Sequence, residues 1–212
     1  MKQKPKYYKD KTLFVSATNT DVGKTYASET FLRYFANAGL KVGYLKPCET
    51  GVIDFPLDGT KMLRLVKDLN FEFDFTIDDV VPFQFSLPAA PWIAKNDTYI
   101  DMNFLKDQVT KLKEKCDVLI IEGAGGLMVP IQNDILIIDL IRILECDETF
   151  LIAPSKLGCI NDTLLSIEAL KNRNINHSLY VNLYEDKDSF EKVSKPYYDK
   201  CIKYKFLQEY LV

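Results

Sequence analysis

The chain has 212 residues, 47% of them apolar and 27% charged, with a formal net charge of -3. That length suits one domain with a sizeable core, and the composition excludes disordered and collagen-like classes. The charge gives no electrostatic reason to expect a nucleic-acid partner, although the Lys-rich first dozen residues read as a solvated basic tail.

No apolar run nears the roughly 20 residues of a membrane helix, and Met1-Lys2-Gln3-Lys4-Pro5 carries no signal-peptide core. The expectation is a cytoplasmic protein without membrane attachment. Cys48, Cys116, Cys146, Cys159 and Cys201 are scattered with no C-x-x-C pair, which argues against a disulfide framework or a zinc site. His177, the sole histidine, lies in the polar stretch Asn172–Ser178 and reads as a solvated loop residue.

Apolar β-rich runs alternate with segments of helical period, the pattern of βα repeats around a mostly parallel sheet. Thr12–Ser16 reads as the first strand, Ala17–Gly23 as a turn, and Lys24–Ala38 as a helix with Ala27, Phe31 and Phe35 on one face and Gly39 as its stop. Val42–Lys46 is a short strand stopped by Pro47. Asp58 opens a helix through Met62, Leu65 and Val66, and Asp101 another through Leu105, Val109 and Leu112. The Pro-bearing stretch Val81–Trp92 reads mainly as connection. Asp117–Ile121 has the continuous apolar character of a central strand covered on both faces. Phe150–Ala153 and Leu179–Val181 read as further strands, with a helix over Asn161–Asn172 between them.

Three segments point to chemistry. Thr20-Asp21-Val22-Gly23-Lys24-Thr25 follows a strand and opens a helix, the context a phosphate loop needs. There, backbone N–H groups and the helix start can bind phosphate oxygens, Lys24 adds a mobile positive charge, and the Thr25 hydroxyl suits Mg²⁺. The first glycine of the usual phosphate-loop spacing is replaced by Thr18. Glu122-Gly123-Ala124-Gly125-Gly126 follows the buried strand, so Glu122 is aimed at the crevice where such sheets bind ligands, and the glycines let backbone approach a phosphate. Lys46 precedes Pro47-Cys48-Glu49-Thr50-Gly51, and spacing alone leaves open whether it is catalytic or an ordinary strand-end lysine.

These segments occur together with Lys156-Leu157-Gly158-Cys159-Ile160-Asn161, and over residues 12–183 the chain resembles the dethiobiotin synthetases. The resemblance implies a single domain over 1–212, a P-loop NTPase-like three-layer α/β/α sandwich with a mostly parallel central sheet. It implies nucleotide contacts from Asp21, Val22, Gly23, Lys24, Thr25 and Tyr26, from Glu122, Gly123, Ala124 and Gly125, and from Asn182 at the base. By the same resemblance, Lys46 and Lys24 are catalytic, Thr25, Asp58 and Glu122 hold Mg²⁺, and Thr50 contacts substrate. Asp54 stands close enough to Asp58 to compete for the metal role.

Gly158, Cys159, Ile160 and Asn161 are implied to bind the substrate carboxylate across a homodimer. The implied reaction joins 7,8-diaminopelargonate, CO₂ and ATP into dethiobiotin, ADP and phosphate during biotin biosynthesis. Two features depart from the family: Leu183 replaces the aspartate after Asn182, and Phe190–Val212 lacks the Gly-bearing strand and Pro that enclose the base. Both point to weak nucleotide selectivity. The rival readings are a partitioning or site-selection switch ATPase, whose additional loop lysine is replaced here by Asn19-Thr20-Asp21, and a cobyrinate-type amide synthetase, which needs an ammonia source.

Overall fold

The computed structural model describes residues 4–184 and 187–211. Met1–Gln3 of the Lys-rich start, and Val212 at the close of the terminal segment, lie outside them. The start is not a solvated tail from Pro5 onward. Pro5–Tyr8 form a 3₁₀ turn that buries Tyr8 against Phe35 and Phe150, with ring centroids 5.1 and 5.7 Å away. Interleaved lysines masked this anchor in the sequence.

In chain order the elements are β1 (Lys11–Ala17), α1 (Lys24–Asn37), β2 (Val42–Leu45), β3 (Cys48–Thr50), α2 (Leu57–Leu69), α3 (Ile77–Val80), β4 (Phe83–Phe85), α4 (Pro91–Ala94), α5 (Met102–Lys113) and β5 (Val118–Gly126). There follow β6 (Pro130–Gln132), β7 (Ile135–Leu136), α6 (Ile137–Ile143), β8 (Glu148–Pro154), α7 (Cys159–Asn172) and β9 (His177–Asn182). The described chain closes with α8 (Lys187–Ser189), a π turn over Phe190–Ser194, α9 (Lys195–Cys201), β10 (Lys205–Phe206) and a 3₁₀ turn over Leu207–Tyr210.

Six strands form an all-parallel sheet in the order β10-β9-β8-β1-β5-β2. Every residue from Val118 to Glu122 and along β8 is buried, because helices cover both faces and leave no strand surface to alternate with water. This is the three-layer α/β/α sandwich. β1 lies between β5 and β8, and its register sets Val15 beside Glu122, so the carboxylate reaches the edge where β1 runs into the Thr18–Gly23 loop. Among the described residues, no helix is long and apolar enough to cross a membrane.

The structure differs from the sequence expectations in three further places. Val81–Trp92 is not mere connection: β4 pairs in parallel with β3, and α4 follows, in pieces too short for a periodicity test. His177 is no loop residue, since it opens β9 opposite Thr149, with its Nδ1 3.0 Å from the Ile175 carbonyl oxygen. Sheet pairing overrides its polar neighbours. Helix α7 begins at Cys159 behind Gly158, two residues ahead of the expected start, so Asn161 lies inside the first turn and donates to Asp162 Oδ1 (3.2 Å). Asp58 falls in the first turn of α2, as expected of a carboxylate favourable to the N-terminal dipole, and Asp101 caps α5 by accepting from the N–H groups of Asn103 and Phe104.

Candidate active site

The loops that follow β1 and β2, the C-terminal half of β5 and the end of β9 meet at one edge of the sheet around a cavity of about 710 Å³. The β1 loop bends through two left-handed residues, Asp21 at φ 57° and Gly23 at φ 93°. Gly23 is required twice over, by its φ and because a Cβ there would come within 2.5 Å of Asn182 Nδ2. Asp21 is not a glycine, and its strained backbone is held by Tyr184, whose hydroxyl donates to the Asp21 carbonyl at 2.5 Å. Thr18 is absent from the residues of positive φ, which explains why this loop does without the usual first glycine.

Behind the loop lies a buried charge cluster. Glu122, 1% exposed, accepts from Thr25 Oγ1 (2.9 Å), Ser28 Oγ (2.7 Å), Tyr44 Oη (3.1 Å) and Lys46 Nζ (3.3 Å). Lys46 also donates to Asp58 Oδ2 (2.5 Å) and stands 3.8 Å from Glu49 Oε2. Burial by itself would lower the Lys46 pKa, but Glu122, Asp58 and Glu49 outweigh it and raise the pKa above the ordinary lysine value. The three carboxylates therefore favour the charged form of Lys46. For Lys24 the balance reverses: burial and the neighbouring Lys46 lower its pKa against the pull of Glu122, Asp21 and Asp58. Burial acts to raise the Asp58 pKa, and the Lys46 ammonium more than offsets that, leaving it lowered.

The cavity is lined by Asp21, Gly23, Lys24, Thr25, Tyr26, Lys46, Thr50, Asp58, Glu122, Gly123, Ala124, Gly125 and Asn182, which the sequence nominated from distant segments. The Val22 side chain is buried beneath the loop, leaving only its backbone in reach. Asp54 is exposed and does not line the cavity, so the geometry favours Asp58 over it. Gly158, Cys159, Ile160 and Asn161 sit beyond β8 and do not line it within the single chain. Ser28, Tyr44, Glu49 and Tyr184 were missed; Ser28 could have been found one helical turn after Lys24, on the face of Thr25.

Asp21, Glu49, Asp58 and Glu122 outnumber the two lysines around this cavity, a balance that would repel a polyphosphate unless a cation came with it. Thr25, Asp58 and Glu122 converge on Lys46 or on one another as oxygen donors, the ligand type a hard divalent cation takes. Among the described residues no three His, Cys, Asp or Glu side chains form a metal cage by themselves. The donor set fits Mg²⁺, which commonly completes its shell with water and phosphate oxygens.

Glu49 has a further structural role that its place in a short buried strand conceals. Its Oε1 and Oε2 accept the N–H groups of Asp58 (3.1 Å) and Gly59 (2.9 Å), capping α2 from outside the helix. Glu49→Ala should cost about 1–3 kcal/mol, because it leaves donors at a buried helix start unsatisfied. A urea midpoint unchanged at equal slope would refute the cap.

A family described as an AAA domain matches residues 11–193 of the chain. An ATP-dependent dethiobiotin synthetase of Sulfurovum sp. is 44% identical over 189 residues, covering 89% of this chain and 90% of that protein. Another, of Wolinella succinogenes, is 38% identical over 191 residues, covering 89% and 88%. Among solved structures, a plasmid partition protein of Borrelia burgdorferi superposes with a TM-score of 0.59 at 13% identity, covering 95% of each chain. That likeness speaks for the fold alone. With this extent and level of identity to the named synthetases, the chain belongs to the ATP-dependent dethiobiotin synthetase family.

Proposed function

We propose that this chain carboxylates 7,8-diaminopelargonate with CO₂ and closes the product into the cyclic urea of dethiobiotin, converting ATP to ADP and phosphate. The observation that carries the reading is Lys46, a buried lysine paired with Asp58 and Glu122 and facing the same cavity as the phosphate loop. One substrate amine takes up CO₂ as an N-carbamate and releases a proton. Lys46 and Lys24 offset the negative charge so formed. A carbamate oxygen then attacks the γ-phosphorus as the bond to the ADP oxygen breaks, with loop N–H groups and Lys24 holding the phosphoryl oxygens. The second amine attacks the carbamate carbon, the ring closes, and phosphate leaves. Mg²⁺, held by Thr25, Asp58 and Glu122, would supply positive charge to the phosphate oxygens.

Incubation with the diamine, bicarbonate, ATP and Mg²⁺ followed by mass spectrometry tests the reading directly. The expected mass gain over the diamine is that of CO₂ less water. ATP hydrolysis independent of the diamine would instead favour a nucleotide switch.

The substrate carboxylate is assigned to the start of α7 in a second copy of the chain. Helix α7 opens behind Gly158, φ 94°, without a side-chain cap; the Cys159 N–H donates to the Lys156 carbonyl (3.2 Å), and the N–H groups that follow it in the first turn can take an anion. Asn161 is exposed and helical, and Asn161→Glu therefore places repulsive charge there without straining a positive φ as a Gly158 substitution would. Mixing inactive Lys46→Ala chains with inactive Asn161→Glu chains under subunit exchange should restore activity to about a quarter of wild type, since random pairing gives half mixed dimers with one intact site each. No recovery in verified heterodimers would mean that α7 serves its own subunit.

A further inference from the structure

Asn182, 1% exposed at the end of β9, is held by both halves of its amide. Its Nδ2 donates to the Val22 carbonyl at 3.1 Å, and its Oδ1 accepts from Gln208 Nε2 at 3.0 Å. Gln208 Oε1 in turn accepts the Leu183 N–H at 3.2 Å. The two ends of this relay are backbone groups of opposite polarity. Leu183 N–H can only donate and the Val22 carbonyl can only accept, so turning over either amide alone, or both together, sets like poles against each other. Backbone chemistry thus admits one orientation of both side chains.

That orientation puts a donor beside the phosphate loop: Nδ2 is the atom a Cβ on Gly23 would strike, while Oδ1 is directed to Gln208. One Nδ2 proton serves Val22 and the second is available to a ligand in the cavity that Asn182 lines with Gly23, Tyr26 and Tyr184. Gln208 is itself firmly placed. It belongs to the 3₁₀ turn Leu207–Tyr210, in which Leu207 is buried and the Tyr210 ring lies 5.4 Å from the rings of both Phe31 and Tyr180. The terminal segment, which lacks the family's base-enclosing elements, therefore supplies a contact of its own.

We propose that Gln208 is the positioning residue that sets nucleobase recognition: by fixing the Asn182 amide with its N–H toward the ligand, it makes the site read an acceptor on the base edge, such as the N7 that adenine and guanine share. This rests on the reading that Asn182 stands at the base. The site then does not distinguish the amino group of adenine from the carbonyl of guanine, because Leu183 offers no carboxylate beside it.

Equilibrium binding of ATP, GTP, CTP and 7-deaza-ATP, each with Mg²⁺, tests the proposal on the wild type, on Gln208→Leu and on Gln208→Glu. For the wild type, ATP and GTP should bind within about threefold of each other, and 7-deaza-ATP and CTP about tenfold more weakly, the loss expected for one hydrogen bond. In Gln208→Leu the ratio of ATP to 7-deaza-ATP should fall toward one. Gln208→Glu still accepts from Leu183 N–H but presents an acceptor to Asn182, which must turn its amide. Its ATP-to-GTP ratio should then shift toward ATP, a change that a merely structural residue would not produce. ATP binding with equal affinity for 7-deaza-ATP in the wild type, or a ratio preserved in both variants, overturns the assignment of Gln208 while leaving the nucleotide site intact. Failure of every nucleotide to bind overturns the site reading and the inference with it.

Discussion

Lys24→Ala should lower kcat/KM about a thousandfold, equivalent to about 4 kcal/mol of lost transition-state stabilisation, while leaving the fold intact. Lys24 is the first residue of α1, and its Nζ has one long contact, to the Asn19 carbonyl oxygen at 3.4 Å. It carries charge at a partly buried position, where burial works against its protonation. Removing it takes cationic charge from the phosphate loop and relieves some desolvation, so the free energy of urea unfolding should stay within about 0.5 kcal/mol of wild type. Near-normal turnover in a folded Lys24→Ala enzyme would remove the phosphate-loop assignment.

Lys46→Gln should damage both catalysis and stability, because this ammonium compensates three carboxylates at once. Lys46 is 6% exposed and Glu122 is 1% exposed, so the charge left behind on Glu122 has little access to water. Breaking such a buried pair costs about 3–5 kcal/mol, and a glutamine amide recovers part of that by donating a hydrogen bond. Turnover at saturating ATP should fall by about 10²–10³, with nucleotide binding retained, because the role proposed for the lysine is at the carbamate and the transferring phosphoryl group.

The two protein forms should also differ in acid. The lowered Asp58 pKa contributes stability that is present above the ordinary carboxylate range and is lost as pH falls through its folded value. In Lys46→Gln the ammonium that lowers it is gone, so the acid limb of the stability profile should be shallower, by a modest amount because the Asp58 side chain is 47% exposed. Lost nucleotide affinity with unchanged saturated turnover would contradict the role given to Lys46, and parallel acid limbs would contradict its coupling to Asp58.

Much of the architecture was legible because its determinants are local. The apolar run Val118–Ile121 announces a strand covered on both faces, and the four-residue spacing of Ala27, Phe31 and Phe35 announces one buried helix face. Asp101 caps α5 because a cap is a contact between neighbours in sequence. The elements that escaped are those made by pairing: β3 with β4, each three residues long, carries no period of its own, and His177 becomes a strand residue through its neighbour Thr149. Helix α6 shows a helical pattern, with Ile137, Ile138, Leu140 and Ile141 buried and Asp139 and Arg142 three apart on the other side, but two turns are too few to establish a period.

The same division runs through the site. Sequence by itself nominated Lys24, Thr25 and Glu122, because strand-loop-helix order and glycine spacing are enough to aim backbone and carboxylate at a sheet edge. It left Lys46 undecided between a surface lysine and a catalytic one, and Asp58 in competition with Asp54. The tertiary structure adds only their placement: Lys46 is buried between Glu122 and Asp58, and Asp54 is exposed. Glu49 and Gln208 show the limit most clearly. Each works by hydrogen-bonding groups fixed elsewhere in the chain, Asp58 and Gly59 for one, Asn182 and Leu183 for the other. A partner brought close by folding leaves no periodicity or spacing near the residue that needs it, so the chemistry of such residues becomes visible only when the chain is packed.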